Sequence, residues 1–183
     1  MERLARGLLK LLGWSVHFTD PGTRRFVLIV APHTSNWDFP LGLLAGWQLT
    51  LDPKFMAKHT LFRWYSGWLF RALGGIPVYR AEAGDRIQQM ANRFVEADHL
   101  VLTITPEGTR SRADHWKSGF YHIARTAEVP VVMAAFDYGR KTVTVGGAFH
   151  PTGDIEADFE QIRAYYEGVQ GRYPEQQGRI APR

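Results

Sequence analysis

The chain has 183 residues, which suggests one domain, and its 45% hydrophobic and 22% charged residues are typical of a globular protein. It has no cysteine, which excludes a disulfide scaffold, a thiolate zinc site and a cysteine nucleophile. The 22 Lys and Arg exceed the 18 Asp and Glu by only four, a surplus too small to indicate nucleic acid as a partner. No stretch approaches the ~18 consecutive apolar residues of a spanning helix, and the first segment lacks the features of a signal peptide.

Short apolar runs alternate with segments of helical period, a pattern that predicts a single α/β domain. We expect a central, mostly parallel or mixed sheet flanked by helices. In chain order the sequence predicts a helix at about 2–13, a strand at 26–31, a helix at 39–50, a strand at 54–57, a helix at 61–73, a strand at 76–79, a helix at 85–97, a strand at 100–105, a helix at 117–128, strands at 130–136 and 141–149, and a helix at 155–169.

We divide the chain into three parts. Residues 1–14 form an amphipathic helix, with Leu4, Leu8 and Leu11 on one face and Arg3 and Lys10 on the other, which could anchor the chain at a membrane interface. Residues 15–170 form the main domain. Residues 171–183 carry Gly, Pro and Gln, a composition that predicts a flexible tail.

A buried strand runs directly into a polar segment, PHTSNWD, that contains one histidine and one aspartate. On one continuous helix, the side chains of His33 and Asp38 would lie about 140° apart. They can meet if His33 lies on the strand-to-helix turn and Asp38 in the first turn of the helix. An aspartate that accepts from His Nδ1–H leaves Nε2 free as a base. Alternatively, Asp38 only interacts with the helix N-terminus and His33 is an ordinary loop residue.

Two further segments that follow predicted strands carry cationic side chains. TPEGTRSR, residues 105–112, combines a glycine, a hydroxyl and two arginines whose forked donors suit phosphate. GGIPVYR, residues 74–80, ends in Arg80. Taken singly, either segment could be a solvated surface loop. Ligands of open α/β sheets bind beyond the carboxyl ends of the strands, so parallel neighbours would bring the base and the arginines to one crevice.

These segments resemble, in content and order, the blocks of the glycerolipid acyltransferase family. PHTSNWD resembles its His-x-x-x-x-Asp block, GGIPVYR its third block, TPEGTRSR its Phe-Pro-Glu-Gly-Thr-Arg-Ser block, and VPVVMAAF, residues 129–136, its proline-containing apolar block. The resemblance spans residues 32–136 and implies a fold like that of glycerol-3-phosphate acyltransferase. Pro32 stands where many members have Asn, and Thr105 where Phe is usual.

The resemblance implies an O-acyltransferase that moves a fatty acyl group from acyl-CoA or acyl-carrier protein to the free hydroxyl of a lysophospholipid. The first choice of acceptor is 1-acyl-glycerol-3-phosphate, which would give phosphatidate; another lysolipid, such as lyso-ornithine lipid, stays open. His33 would be the general base and Asp38 would orient it. The residues implied to bind the acceptor's phosphate and glycerol are Arg80, Glu107, Gly108, Thr109 and Arg110. We expect no bound cofactor and no metal.

An acceptor of this kind resides in a bilayer, so we expect a cytoplasmic protein that associates peripherally with the cytoplasmic membrane. The N-terminal helix and the aromatic segment at 61–73 suit the membrane–water boundary, although either could instead pack on the sheet. Two other functions stay open. One is a non-catalytic binder of anionic lipids, and the other is an esterase in which His33 activates water.

Overall fold

The computed structural model describes residues 1–78 and 83–183. The elements in chain order are α1 (Glu2–Leu11), β1 (Ser15–Phe18), β2 (Arg25–Ala31), α2 (Asp38–Leu49), β3 (Pro53–Lys58), a 3-10 turn (His59–Leu61), α3 (Gly67–Ala72), β4 (Gly75–Val78), α4 (Ala83–Glu96), β5 (Leu100–Ile104), α5 (Gly119–Thr126), β6 (Val131–Asp137), β7 (Thr142–Phe149), α6 (Ile155–Tyr165) and a second 3-10 turn (Pro174–Gln176). None of the described helices is long and apolar enough to cross a bilayer.

The described strands form one seven-stranded sheet in the order β1-β7-β6-β2-β5-β3-β4. Neighbouring strands are parallel except for β6 and β7, which are antiparallel. The predicted single α/β domain with a mostly parallel, mixed sheet is therefore confirmed.

The central strand β2 is buried on both faces and divides the core into two apolar clusters. Phe26, Leu28 and Val30 belong to the cluster that also contains Leu9 of α1 and Leu41 of α2. The alternate residues of β2 belong to the cluster formed with α4, α5 and α6. Because successive side chains of a strand point to opposite faces, one continuous apolar run supplies both clusters. The result is a sheet covered by helices on both faces.

The parallel arrangement brings the polar segments to one edge of the sheet. Ile29 of β2 pairs with Ile104 of β5, and Ala31 of β2 pairs with Ala135 of β6. The chain after each of these strands therefore leaves the sheet at the same edge. PHTSNWD follows β2, and TPEGTRSR follows β5.

The structure corrects two of the predicted elements. The helix expected at 61–73 is interrupted: a 3-10 turn covers His59–Leu61, and α3 covers only Gly67–Ala72. The chain packs tightly where α3 begins, since a Cβ at Gly67 would lie 3.0 Å from Phe62 O. The edge strand β1 was not predicted, because Ser15–Phe18 is short and mostly exposed and has no apolar run. It pairs with β7.

The last residues of the chain lie against the main domain. A 3-10 turn covers Pro174–Gln176, and Trp116 forms an isolated parallel bridge with Pro182. The domain boundaries drawn from the sequence, including the flexibility of residues 171–183, stay predictions.

Candidate active site

The turn after β2 brings His33 and Asp38 into direct contact. His33 Nδ1 lies 2.9 Å from Asp38 Oδ2. His33 precedes the helix, and Asp38 is the first residue of α2. This is the arrangement that their five-residue spacing requires if the two side chains are to meet.

The Asp38 carboxylate is buried and accepts three hydrogen bonds. Its side chain is only 2% exposed. Oδ2 also accepts from the backbone N–H of Ser35 at 3.0 Å, and Oδ1 accepts from the Tyr138 hydroxyl at 2.6 Å. Since the carboxylate acts as the acceptor, the proton of the pair belongs on His33 Nδ1. His33 Nε2 then keeps its lone pair and can accept a proton from a substrate.

Tyr138 is a site residue that the sequence reasoning missed. It follows β6 directly, and its ring packs edge-to-face on Trp14, with ring centroids 4.9 Å apart. Burial, followed by the hydrogen bond to Asp38, raises the pKa of Tyr138 far above its usual value. The hydroxyl therefore stays protonated and remains a donor to Asp38. The sequence feature that indicates Tyr138 is its position directly after β6, a strand that is parallel to β2.

Glu107 supports the backbone of the turn that carries His33. Its Oε1 accepts from the backbone N–H of His33 at 3.0 Å. Its Oε2 is buried and has no hydrogen-bond partner in the part of the chain that the structure describes. Burial raises the pKa of Glu107. The resemblance implies a role at the acceptor, whereas the structure turns one carboxylate oxygen toward the turn that carries His33.

The loop after β5 combines a left-handed glycine with two cationic side chains. Gly108 has φ +63°, and a Cβ there would lie 2.5 Å from Lys117 Nζ. Glycine therefore lets the Lys117 ammonium lie directly against the loop. Thr109 Oγ1 accepts from the Ser111 N–H at 3.2 Å, which stabilises the turn before Arg110 and its neighbours.

Two cavities meet at the histidine. A small polar cavity of about 420 Å³ is lined by His33, Thr105, Gly108, Thr109, Arg110 and Ser111. A larger cavity of about 1540 Å³ has apolar lining residues from β2, α2 and β3, including Val30, Phe39, Leu43 and Phe55. His33, Thr105 and Arg110 line both cavities. Each cavity thus has His33, Thr105 and Arg110 in its wall; the smaller one adds the hydroxyls of Thr109 and Ser111, and the larger one adds mostly hydrocarbon.

Of the predicted site residues, the structure brings His33, Gly108, Thr109 and Arg110 to the small cavity, and Asp38 lies behind His33 in contact with it. Arg80 lies outside the described residues. Within residues 1–78 and 83–183, no group of three or more His, Asp or Glu is placed to hold a metal ion.

The comparisons with known proteins agree with the blocks that the sequence carries. The model of the Acyltransferase family matches residues 15–137. The fold is similar to the crystal structure of the 1-acyl-sn-glycerophosphate (LPA) acyltransferase, PlsC, from Thermotoga maritima, with a TM-score of 0.53 and 20% sequence identity; the match covers 91% of this chain and 73% of that chain. No curated protein matches the chain at a significant level. Because the family model spans more than half of the sequence, the chain belongs to the Acyltransferase family.

Proposed function

We propose that this acyltransferase moves a fatty acyl group from an acyl thioester to the free hydroxyl of 1-acyl-glycerol-3-phosphate and forms phosphatidate. The observation that carries the proposal is the junction of the polar and apolar cavities at His33, Thr105 and Arg110. A phosphate-bearing acceptor suits the polar cavity, and a fatty acyl chain suits the apolar one. The base lies between them, where the acceptor hydroxyl and the acyl carbonyl carbon would meet.

The proposed reaction needs no covalent intermediate on the protein. His33 Nε2 takes the proton of the acceptor hydroxyl as its oxygen attacks the thioester carbonyl carbon. The tetrahedral intermediate collapses with cleavage of the carbon–sulfur bond, and the leaving thiolate receives the proton from His33. Asp38 holds the imidazole in the tautomer that this step requires. The products are an ester and a free thiol, either CoA or the carrier protein's thiol.

The cations around the polar cavity support a phosphate-bearing acceptor. Arg110 lines both cavities, and Lys117 lies against Gly108 and also lines the larger one. Guanidinium and ammonium groups bind phosphate by charge-assisted hydrogen bonds. A lysolipid without phosphate, such as lyso-ornithine lipid, offers no phosphate group to these side chains.

We expect His33→Ala to lower the rate of phosphatidate formation by about 10²–10⁴, because the variant lacks the base. The assay supplies labelled 1-acyl-glycerol-3-phosphate with acyl-CoA or acyl-carrier protein and separates the lipid products by chromatography. His150→Ala is the matched control, since His150 is exposed and lines neither cavity. It should keep the wild-type rate.

Two results of this assay would contradict the proposal. Release of free fatty acid without acylation of the acceptor would indicate an esterase in which His33 activates water. No turnover with any lysolipid or donor, combined with binding to anionic lipid, would indicate a non-catalytic lipid binder.

We expect Arg110→Ala to raise the KM for 1-acyl-glycerol-3-phosphate by about tenfold or more, because a charge-assisted bond to phosphate contributes about 1.5–3 kcal/mol. The KM for the acyl donor should change little. Arg112→Ala is the matched control, since Arg112 is exposed and lines neither cavity. An equal effect of both substitutions would remove Arg110 from the phosphate site.

We also propose that α1 docks on the surface of an anionic bilayer, the place where the proposed acceptor resides. Ala5 and Leu9 are buried and hold α1 on the domain, whereas Leu4, Leu8 and Leu11 are 66%, 40% and 83% exposed. The same helix carries three basic residues, Arg3, Arg6 and Lys10. Exposed leucines beside basic side chains are typical of helices that lie in the membrane interface.

Replacing Leu4, Leu8 and Leu11 together by Gln should lower the vesicle-bound fraction at least about tenfold, since each buried leucine contributes about 1.5–3 kcal/mol. Co-sedimentation with vesicles of phosphatidylcholine and phosphatidylglycerol measures the effect. The fold should persist, because Ala5 and Leu9 are unchanged. Val95→Gln, at an exposed position of α4, is the control. Equal binding by the triple variant and the wild type would overturn the docking of α1.

A further inference from the structure

The C-terminal segment, residues 171–183, contacts the turn that carries the base. The backbone N–H of Tyr173 donates to Thr34 Oγ1 at 3.2 Å, and Thr34 is 4% exposed. The approach is close at Gly171, where a Cβ would lie 2.8 Å from the same hydroxyl oxygen. Thr34 directly follows His33, so the C-terminal segment touches the catalytic turn itself.

One side chain of this segment reaches both catalytic loops. The Gln176 amide has two backbone carbonyls at one end and only donors at the other, so its nitrogen faces the carbonyls. In this orientation it donates to Arg110 O at 2.6 Å and to Thr34 O at 3.3 Å. Gln176 thus links the loop after β5 to the turn after β2.

The rest of the segment fixes Gln176 in place. Arg179 N–H donates to Ala113 O at 3.2 Å, and Trp116 N–H donates to Ala181 O at 2.8 Å. Gln177 Oε1 accepts from Gly171 N–H at 2.8 Å. These hydrogen bonds hold the backbone before and after Gln176. They therefore restrict the positions that the Gln176 side chain can reach.

We propose that Gln176 is a positioning residue that sets the distance between the proposed phosphate-binding loop at Arg110 and the base at His33. The inference rests on the proposed function, since it concerns the same reaction. The acceptor's phosphate and its reacting hydroxyl belong to one small molecule, so the loops that hold them must keep a fixed separation. A displacement of about 1 Å between a binding group and a reacting group can lower a rate by about 10².

Amide hydrogen exchange of the protein without substrate provides the first test. Gln176→Ala and the isosteric Gln176→Glu both remove the N–H donors, and the glutamate directs negative charge at two carbonyls. Both variants should exchange faster than the wild type in the turn at residues 33–38 and in the loop at 107–112. Gln161→Ala, on the exposed side of α6, is the matched control. Unchanged exchange in either loop would overturn the proposal.

A double-mutant cycle with Arg110 separates positioning from a general loss of stability. In the wild-type background, Gln176→Ala should lower kcat/KM for the phosphate-bearing acceptor by roughly tenfold and leave the KM of the acyl donor nearly unchanged. In the Arg110→Ala background the same substitution should cost less than about twofold, because the guanidinium whose position Gln176 sets is then absent and the two effects are not additive. Equal costs in both backgrounds would show that Gln176 does not act through Arg110, and would contradict the proposal.

The two tests also separate this inference from the proposed function. If no lysolipid is acylated, the proposed function fails, while the exchange measurement still decides whether Gln176 holds the two loops. If the acceptor is acylated and the cycle is additive, the proposed function stands and the role of Gln176 fails.

Discussion

The Asp38 carboxylate connects the parts of the site that come from different regions of the chain. It accepts from His33 in the turn after β2, from the backbone of Ser35 before α2, and from Tyr138 after β6. Because the carboxylate is almost completely buried, losing the Tyr138 hydroxyl would leave Oδ1 without a hydrogen-bond donor among the described residues and would cost about 1–3 kcal/mol. The orientation of the imidazole therefore depends on contacts spread over 100 residues of sequence.

The junction of the two cavities gives His33 an environment suited to an amphiphilic pair of substrates. Arg110 and Lys117 bring positive charge to the loop after β5, and α2 and β3 provide hydrocarbon on the other side of His33. The parallel order of β2, β5 and β6 makes this possible, since the segments after all three strands leave the sheet at one edge. Glu107 joins two of them through the backbone of His33.

The buried strands and the His33–Asp38 pair could be predicted because their signals are local: continuous apolar runs, and a histidine and an aspartate at a spacing that a strand-to-helix turn can close. Tyr138 was missed because its contact with Asp38 depends on strand order, which the sequence does not state. Gln176 was missed for the same reason, and because the composition of its segment is typical of a loose tail. The helix predicted at 61–73 is longer than the observed α3. The spacing of its aromatic residues suggests one continuous helix, but the chain packs tightly between Phe62 and Gly67, where α3 begins.

The proposed role of His33 as the base requires a proton on Nδ1 and a free lone pair on Nε2. Nitrogen-15 NMR of the ring, assigned by comparison with His33→Ala, measures this directly at neutral pH. We predict a protonated Nδ1 and an unprotonated Nε2 in the wild type, and loss of this preference in Asp38→Asn, whose amide can also donate to the ring. A proton on Nε2 with a bare Nδ1 in the wild type would contradict the assignment of His33 as the base.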